Sequence, residues 1–183
     1  DSLPRRVVGD AGDEVGRKGE WGLERPGGVR HHLPGLFLPV LHGDEVARVR
    51  AALRRRGVRP GDRVAILSTN MPNWGVAYFA ITSMGAVVVP LLPDFHEKEI
   101  ANFLQHAGCD VLFVSAKLIG QVEALKLPRL RHRIRLDDLA MLTENGAPLW
   151  TPDMGTEPPA DVQEEDLASI IYTSGTTGKS KGV

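Results

Sequence analysis

Three short apolar runs, set between stretches of helical spacing, constrain the fold of this chain more than any other feature. Residues 63–68 (RVAILS), 86–90 (AVVVP) and 111–114 (VLFV) are almost continuous in Val, Ile, Leu and Phe. A strand with one wet face alternates apolar and polar residues, whereas a strand covered on both faces does not. The stretches between and before them carry apolar residues at helical intervals: Val46, Val49, Ala52 and Leu53; then Trp74, Ala77, Tyr78 and Ile81; then Ile100, Phe103, Leu104 and Ala107. Such stripes are core faces of amphipathic helices. Alternating β and α elements of this kind predict an α/β fold with a parallel sheet, right-handed crossovers and helices on both faces. Ligands of such sheets sit beyond the carboxyl ends of the strands.

Local punctuation sharpens the prediction. Asp44 is placed to cap the first helix, and Arg54-Arg55-Arg56 followed by Gly57 to end it, with the arginines solvated beside the C-terminal dipole. Pro60-Gly61-Asp62 reads as a turn. Asn70 and Pro72 start the second helix and Gly85 ends it. Asp94 and Glu97 have capping-box spacing for the third, which Gly108 stops. A helix over 117–125, a weak strand over 134–136, a polar Pro-containing loop over 143–166 and a strand over 167–172 (LASIIY) complete the reading. Residues 1–40 show neither period and read as an irregular lead-in, with 41–183 as the organised domain. The paired His31-His32 within that lead-in is read as solvated rather than as half of a metal site.

Composition excludes several classes of function. The 183 residues include 22 basic and 23 acidic side chains, a balance that gives no reason to expect nucleic acid as partner. No apolar run approaches the ~20 residues of a membrane span; 36–41 is short and broken by Pro39. The lone Cys109 can form no internal disulfide and reads as a small buried thiol. These features predict a cytoplasmic protein, with peripheral membrane association left open. Asp1 in the first position and the stop just after a motif at Val183 mark the chain, in this reading, as a fragment.

That motif carries the chemistry. Directly behind the 167–172 run stands Tyr172-Thr173-Ser174-Gly175-Thr176-Thr177-Gly178-Lys179-Ser180-Lys181-Gly182. Glycine lets backbone N–H groups turn inward toward a ligand, and such a nest binds anions. Hydroxyls add donors and lysine adds charge, a combination suited to a polyphosphate. A plain surface turn does not need this density of donors. A Walker A loop is the sharper rival: Gly178, Lys179 and Ser180 match G-x-x-x-x-G-K-[ST], but Thr173 stands where its first glycine belongs. Gly182 also follows at once, a poor start for the helix a Walker loop opens.

At this run the sequence resembles the adenylate-forming (AMP-binding) superfamily, whose signature reads Tyr-Thr-Ser-Gly-Thr-Thr-Gly-x-Pro-Lys-Gly. Ser180 replaces the proline, and Lys181 is the matching lysine, with Lys179 in the variable position. Residues 57–65 (GVRPGDRVA), 70–74 (NMPNW), 85–91 (GAVVVPL) and 111–115 (VLFVS) follow in the family's order. Pro90-Leu91-Leu92-Pro93-Asp94-Phe95 is most similar to bacterial long-chain fatty acyl-CoA ligases. The resemblance implies part of the N-terminal AMP-binding domain of an ATP-dependent acid–thiol ligase, with ATP, Mg²⁺ and coenzyme A as co-substrates or cofactors and a fatty acid as substrate. It implies phosphate binding by Thr173, Ser174, Gly175, Thr176, Thr177, Gly178 and Lys181. It places the catalytic groups, the Mg²⁺ ligand and the small lid domain beyond Val183, so that these residues alone are expected not to turn over. Within the superfamily, aryl-acid ligases and peptide-synthetase adenylation domains stay open, and a non-catalytic nucleotide-binding remnant is a further alternative.

Overall fold

The structure, a computed structural model, describes residues 43–173 and the paired residues 181 and 182. Helix α1 (Gly43–Arg55) leads into strand β1 (Arg63–Leu67), α2 (Pro72–Thr82), β2 (Val87–Leu91), α3 (Glu97–Ala107) and β3 (Val111–Val114). A short helical turn and α4 (Ile119–Glu123) precede β4 (His132–Arg135), and two-residue strands β5 (Ala140–Met141) and β6 (Ala147–Pro148) follow. The sheet order is β2-β1-β3-β4-β5-β6. The first four strands are parallel, with Ala65 opposite Val89 on one side and Leu112 on the other. β5 and β6 close the far edge antiparallel.

The continuous apolar runs are explained by which residues face which helices. Val64, Ile66, Val88, Val111 and Phe113 pack with Val49 and Leu53 of α1 and Ala77 and Ile81 of α2. Their neighbours Ala65, Leu67, Val89, Leu91, Leu112 and Val114 pack on the opposite face with Ile100, Phe103 and Leu104 of α3. Both parities of each strand are therefore buried, as the sequence predicts. The β1–α2–β2 and β2–α3–β3 crossovers move in opposite directions across the sheet and use opposite faces, so the two share one hand.

Several expectations are corrected. The capping pair of α3 is His96 and Glu99, two residues beyond Asp94 and Glu97: the Glu99 carboxylate accepts the His96 N–H at 2.9 Å. Asp44 lies inside the first turn of α1, where its charge suits the dipole, rather than at the cap. The arginines of α1 are not merely solvated. Arg55 donates to the Met154 carbonyl at 2.9 Å, Arg56 to the Leu149 carbonyl at 3.0 Å, and Arg54 lies 3.5 Å from Glu157. Together with Arg50, which donates to the Glu157 carbonyl at 2.7 Å, they pin the polar 149–157 segment onto the helix. Leu149, Trp150 and Met154 of this segment also pack against the core under α1, so guanidinium contacts to its carbonyls add to apolar burial.

Candidate functional site

Residues 167–172 do not form the continuous strand that their composition predicts. The segment touches β2 through one parallel bridge, Val88 opposite Ser169. Val88 N–H donates to the Ala168 carbonyl and Ile170 N–H to the Val88 carbonyl, each at 3.0 Å. Leu167 and Ile171 are exposed by 58% and 51%, so the run is not buried on both faces as a central strand would be. The bridge is parallel, so the segment travels toward the same end of the sheet as the carboxyl end of β2.

Tyr172 ends this segment and is buried. Its ring stacks on Phe103 of α3 at a centroid distance of 4.3 Å and an interplanar angle of 21°. Its hydroxyl lies 2.7 Å from Nδ1 of His106 on the last turn of the same helix. Burial, with a smaller contribution from nearby Cys109, raises the Tyr172 phenol above its ordinary value, so it stays protonated and able to donate. Sequence reasoning missed His106 and Phe103 as neighbours of the motif. Phe103 belonged to a stripe that reads as ordinary core, and nothing in spacing ties residue 106 to residue 172.

From Tyr172 the chain enters a β-hairpin. Strand β7 (Tyr172–Thr173) pairs antiparallel with β8 (Lys181–Gly182), with Thr173 opposite Lys181 and Tyr172 opposite Gly182. Thr173 is exposed. The two ends of the predicted anion-binding stretch are thus brought side by side, while Ser174, Gly175, Thr176, Thr177 and Gly178 lie outside the described residues. The hairpin also separates the two readings of the motif. A Walker loop opens a helix after its Lys-Ser pair, whereas here the residues that follow Ser180 pair back as strand.

A model of the AMP-binding enzyme family matches residues 43–183. The chain belongs to the AMP-binding enzyme family. The P-loop NTPase alternative is thereby removed, as the match spans the whole organised part of the chain. Among curated AMP-binding relatives, the chain is 39% identical over 153 residues to a 3-(7a-methyl-1,5-dioxo-octahydro-1H-inden-4-yl)propanoyl:CoA ligase of Mycobacterium tuberculosis, covering 76% of this chain and 29% of the relative. It is 29% identical over 187 residues to the crotonobetaine/carnitine–CoA ligase of Escherichia coli, covering 98% of this chain and 35% of the relative. Its structure resembles that of an anthranilate CoA ligase solved with anthranoyl-AMP, with a TM-score of 0.64 and 27% identity, over 76% of this chain and 27% of that one. The chain therefore spans about a third of the length of the relatives it matches.

A second concavity does not compete for the nucleotide. A cleft of about 380 Å³ on the α1–α2 side is lined by Glu45, Asn73, Asp137, Asp138 and Trp150. Its carboxylates would repel phosphates. Among the described residues, no three or more His, Cys, Asp or Glu side chains gather closely enough to hold a metal ion.

Proposed function

We propose that the whole protein activates a carboxylic acid with ATP and passes the acyl group to coenzyme A. The carboxylate oxygen attacks the α-phosphorus as the bond to the bridging oxygen of the β-phosphate breaks, giving an acyl adenylate and pyrophosphate. The sulfur of coenzyme A then attacks the acyl carbon, AMP leaves with the bonding electrons, and the thiol proton passes to solvent. The observation that best supports this reading is the hairpin that sets Thr173 opposite Lys181 at the root of the Gly/Ser/Thr stretch.

In this reading the hydroxyls of Thr173, Ser174, Thr176 and Thr177, the N–H groups around Gly175 and Gly178, and the Lys181 ammonium hold the β- and γ-phosphates. Charge grows on that leaving group in the transition state, and donors fixed beforehand stabilise it without reorganising. Mg²⁺ arriving with the nucleotide would share that charge. Residues 41–183 form part of the N-terminal AMP-binding domain, and the acid pocket and remaining catalytic groups lie in the part of such enzymes that this chain does not cover.

For the acid itself we favour a long-chain fatty acid, on the strength of the Pro90–Phe95 wording. The names of the two curated relatives, one for a bicyclic propanoate and one for crotonobetaine or carnitine, show how widely the acid varies among relatives. The full-length protein, given MgATP, coenzyme A and a panel of acids, should form thioester and AMP, fastest with long alkyl chains. A preference for aryl or short polar acids would overturn the fatty-acid assignment. Failure to form any thioester while nucleotide still binds would favour a non-catalytic nucleotide-binding protein.

A further inference from the structure

The segment that carries the hairpin is thinly held. Of its apolar residues, Leu167 and Ile171 are exposed, and its backbone meets β2 through a single bridge. Only Ile170 and Tyr172 pack against the core, and the anchor next to the motif is Tyr172, buried against Phe103 and joined at its hydroxyl to Nδ1 of His106. The residue after it, Thr173, is already exposed and paired with Lys181. An error in the placement of Tyr172 is therefore passed directly to the anion-binding stretch, since no described contact intervenes.

We propose that His106 is a positioning residue for nucleotide binding, holding the Tyr172 hydroxyl so that the Thr173–Lys181 hairpin presents its donors to the ATP phosphates. This rests on the function proposed above. With the phenol as donor, Nδ1 accepts and the ring proton sits on Nε2. His106 is itself solvent-exposed, and its ring meets that of Tyr172 edge to face at a centroid distance of 5.8 Å. It touches no substrate, so its effect appears in the affinity for nucleotide and not for the acid.

The test uses the full-length protein and acid-dependent pyrophosphate exchange. Tyr172→Phe and His106→Ala should each raise KM for MgATP about two- to fivefold, the scale of one lost hydrogen bond partly replaced by water. KM for the acid and the melting temperature should stay near those of the parent. The double variant should be no worse than either single one, because both remove the same contact. His106→Asn, whose side-chain carbonyl can accept the phenol proton, should recover most of the affinity. Unchanged KM for MgATP in both single variants, additive losses, or a fall in melting temperature without a change in KM would each overturn the proposal. If His106→Ala does not fold, Tyr172→Phe and His106→Asn decide the matter by the same KM comparison. Absence of exchange in the parent protein would instead strike the proposed function itself.

Discussion

Cys109 lies 2% exposed between Gly108, which ends α3, and Asp110, which pairs with both Arg129 and Arg131. Burial pushes its thiol up to about 12, with the Arg63 charge pulling weakly the other way. The nucleophilic thiolate is thus suppressed, and the sequence-based reading of a small core thiol holds. Native protein should resist iodoacetamide at about pH 8, near the ordinary thiol value, and become alkylated on unfolding. Rapid labelling of the native protein would contradict the burial. The folded value lies above the unfolded one. The stability this burial contributes is therefore fully present below the ordinary thiol range and is lost as pH rises toward 12. Single residues also show where spacing misleads. Asp94 with Glu97 and His96 with Glu99 both satisfy the three-residue interval of a capping box, and only backbone geometry distinguishes them.

At the scale of elements, the turns between helix and strand are as determinate as the strands themselves. Gly85 ends α2 with φ +76°, and a Cβ placed there would stand 3.2 Å from Cβ of Pro60. The Gly85 carbonyl also accepts the Gly61 N–H at 2.7 Å, tying the two turns together. Gly85→Ala should therefore destabilise the protein by about 1–2 kcal/mol, the cost of a left-handed residue with a side chain. Equilibrium denaturation checks this, and an unchanged midpoint would show that the turn relaxes freely. Strands β1 to β3 and their helices were legible because burial on both faces leaves a strong apolar signal. Strands β5 and β6 were not, because two residues carry no period. Their path depends on Leu139 and Asn145 adopting positive φ, which composition does not announce. The 167–172 run misled for the opposite reason. It is apolar enough for a central strand, yet only Ile170 and Tyr172 pack against the core while Leu167 and Ile171 are exposed.

Over the whole described region, a doubly covered sheet supports a hairpin that gathers Thr173 and Lys181 beside a buried tyrosine anchor. No helix among the described residues is long and apolar enough to cross a membrane. The motif was legible because glycine, hydroxyl and lysine in close succession are the residue types that a polyphosphate site would demand. Its support by α3 was not, because residues 106 and 172 meet only through the fold. The account stands or falls on that motif gripping the nucleotide's phosphates. The most direct test is MgATP-dependent pyrophosphate exchange by the full-length protein with Lys181→Ala. Loss of one charge-assisted donor, worth roughly 1.5–3 kcal/mol, predicts exchange slowed by about one to two orders of magnitude. Exchange at the parental rate would contradict the assignment of Lys181 and the stretch it closes.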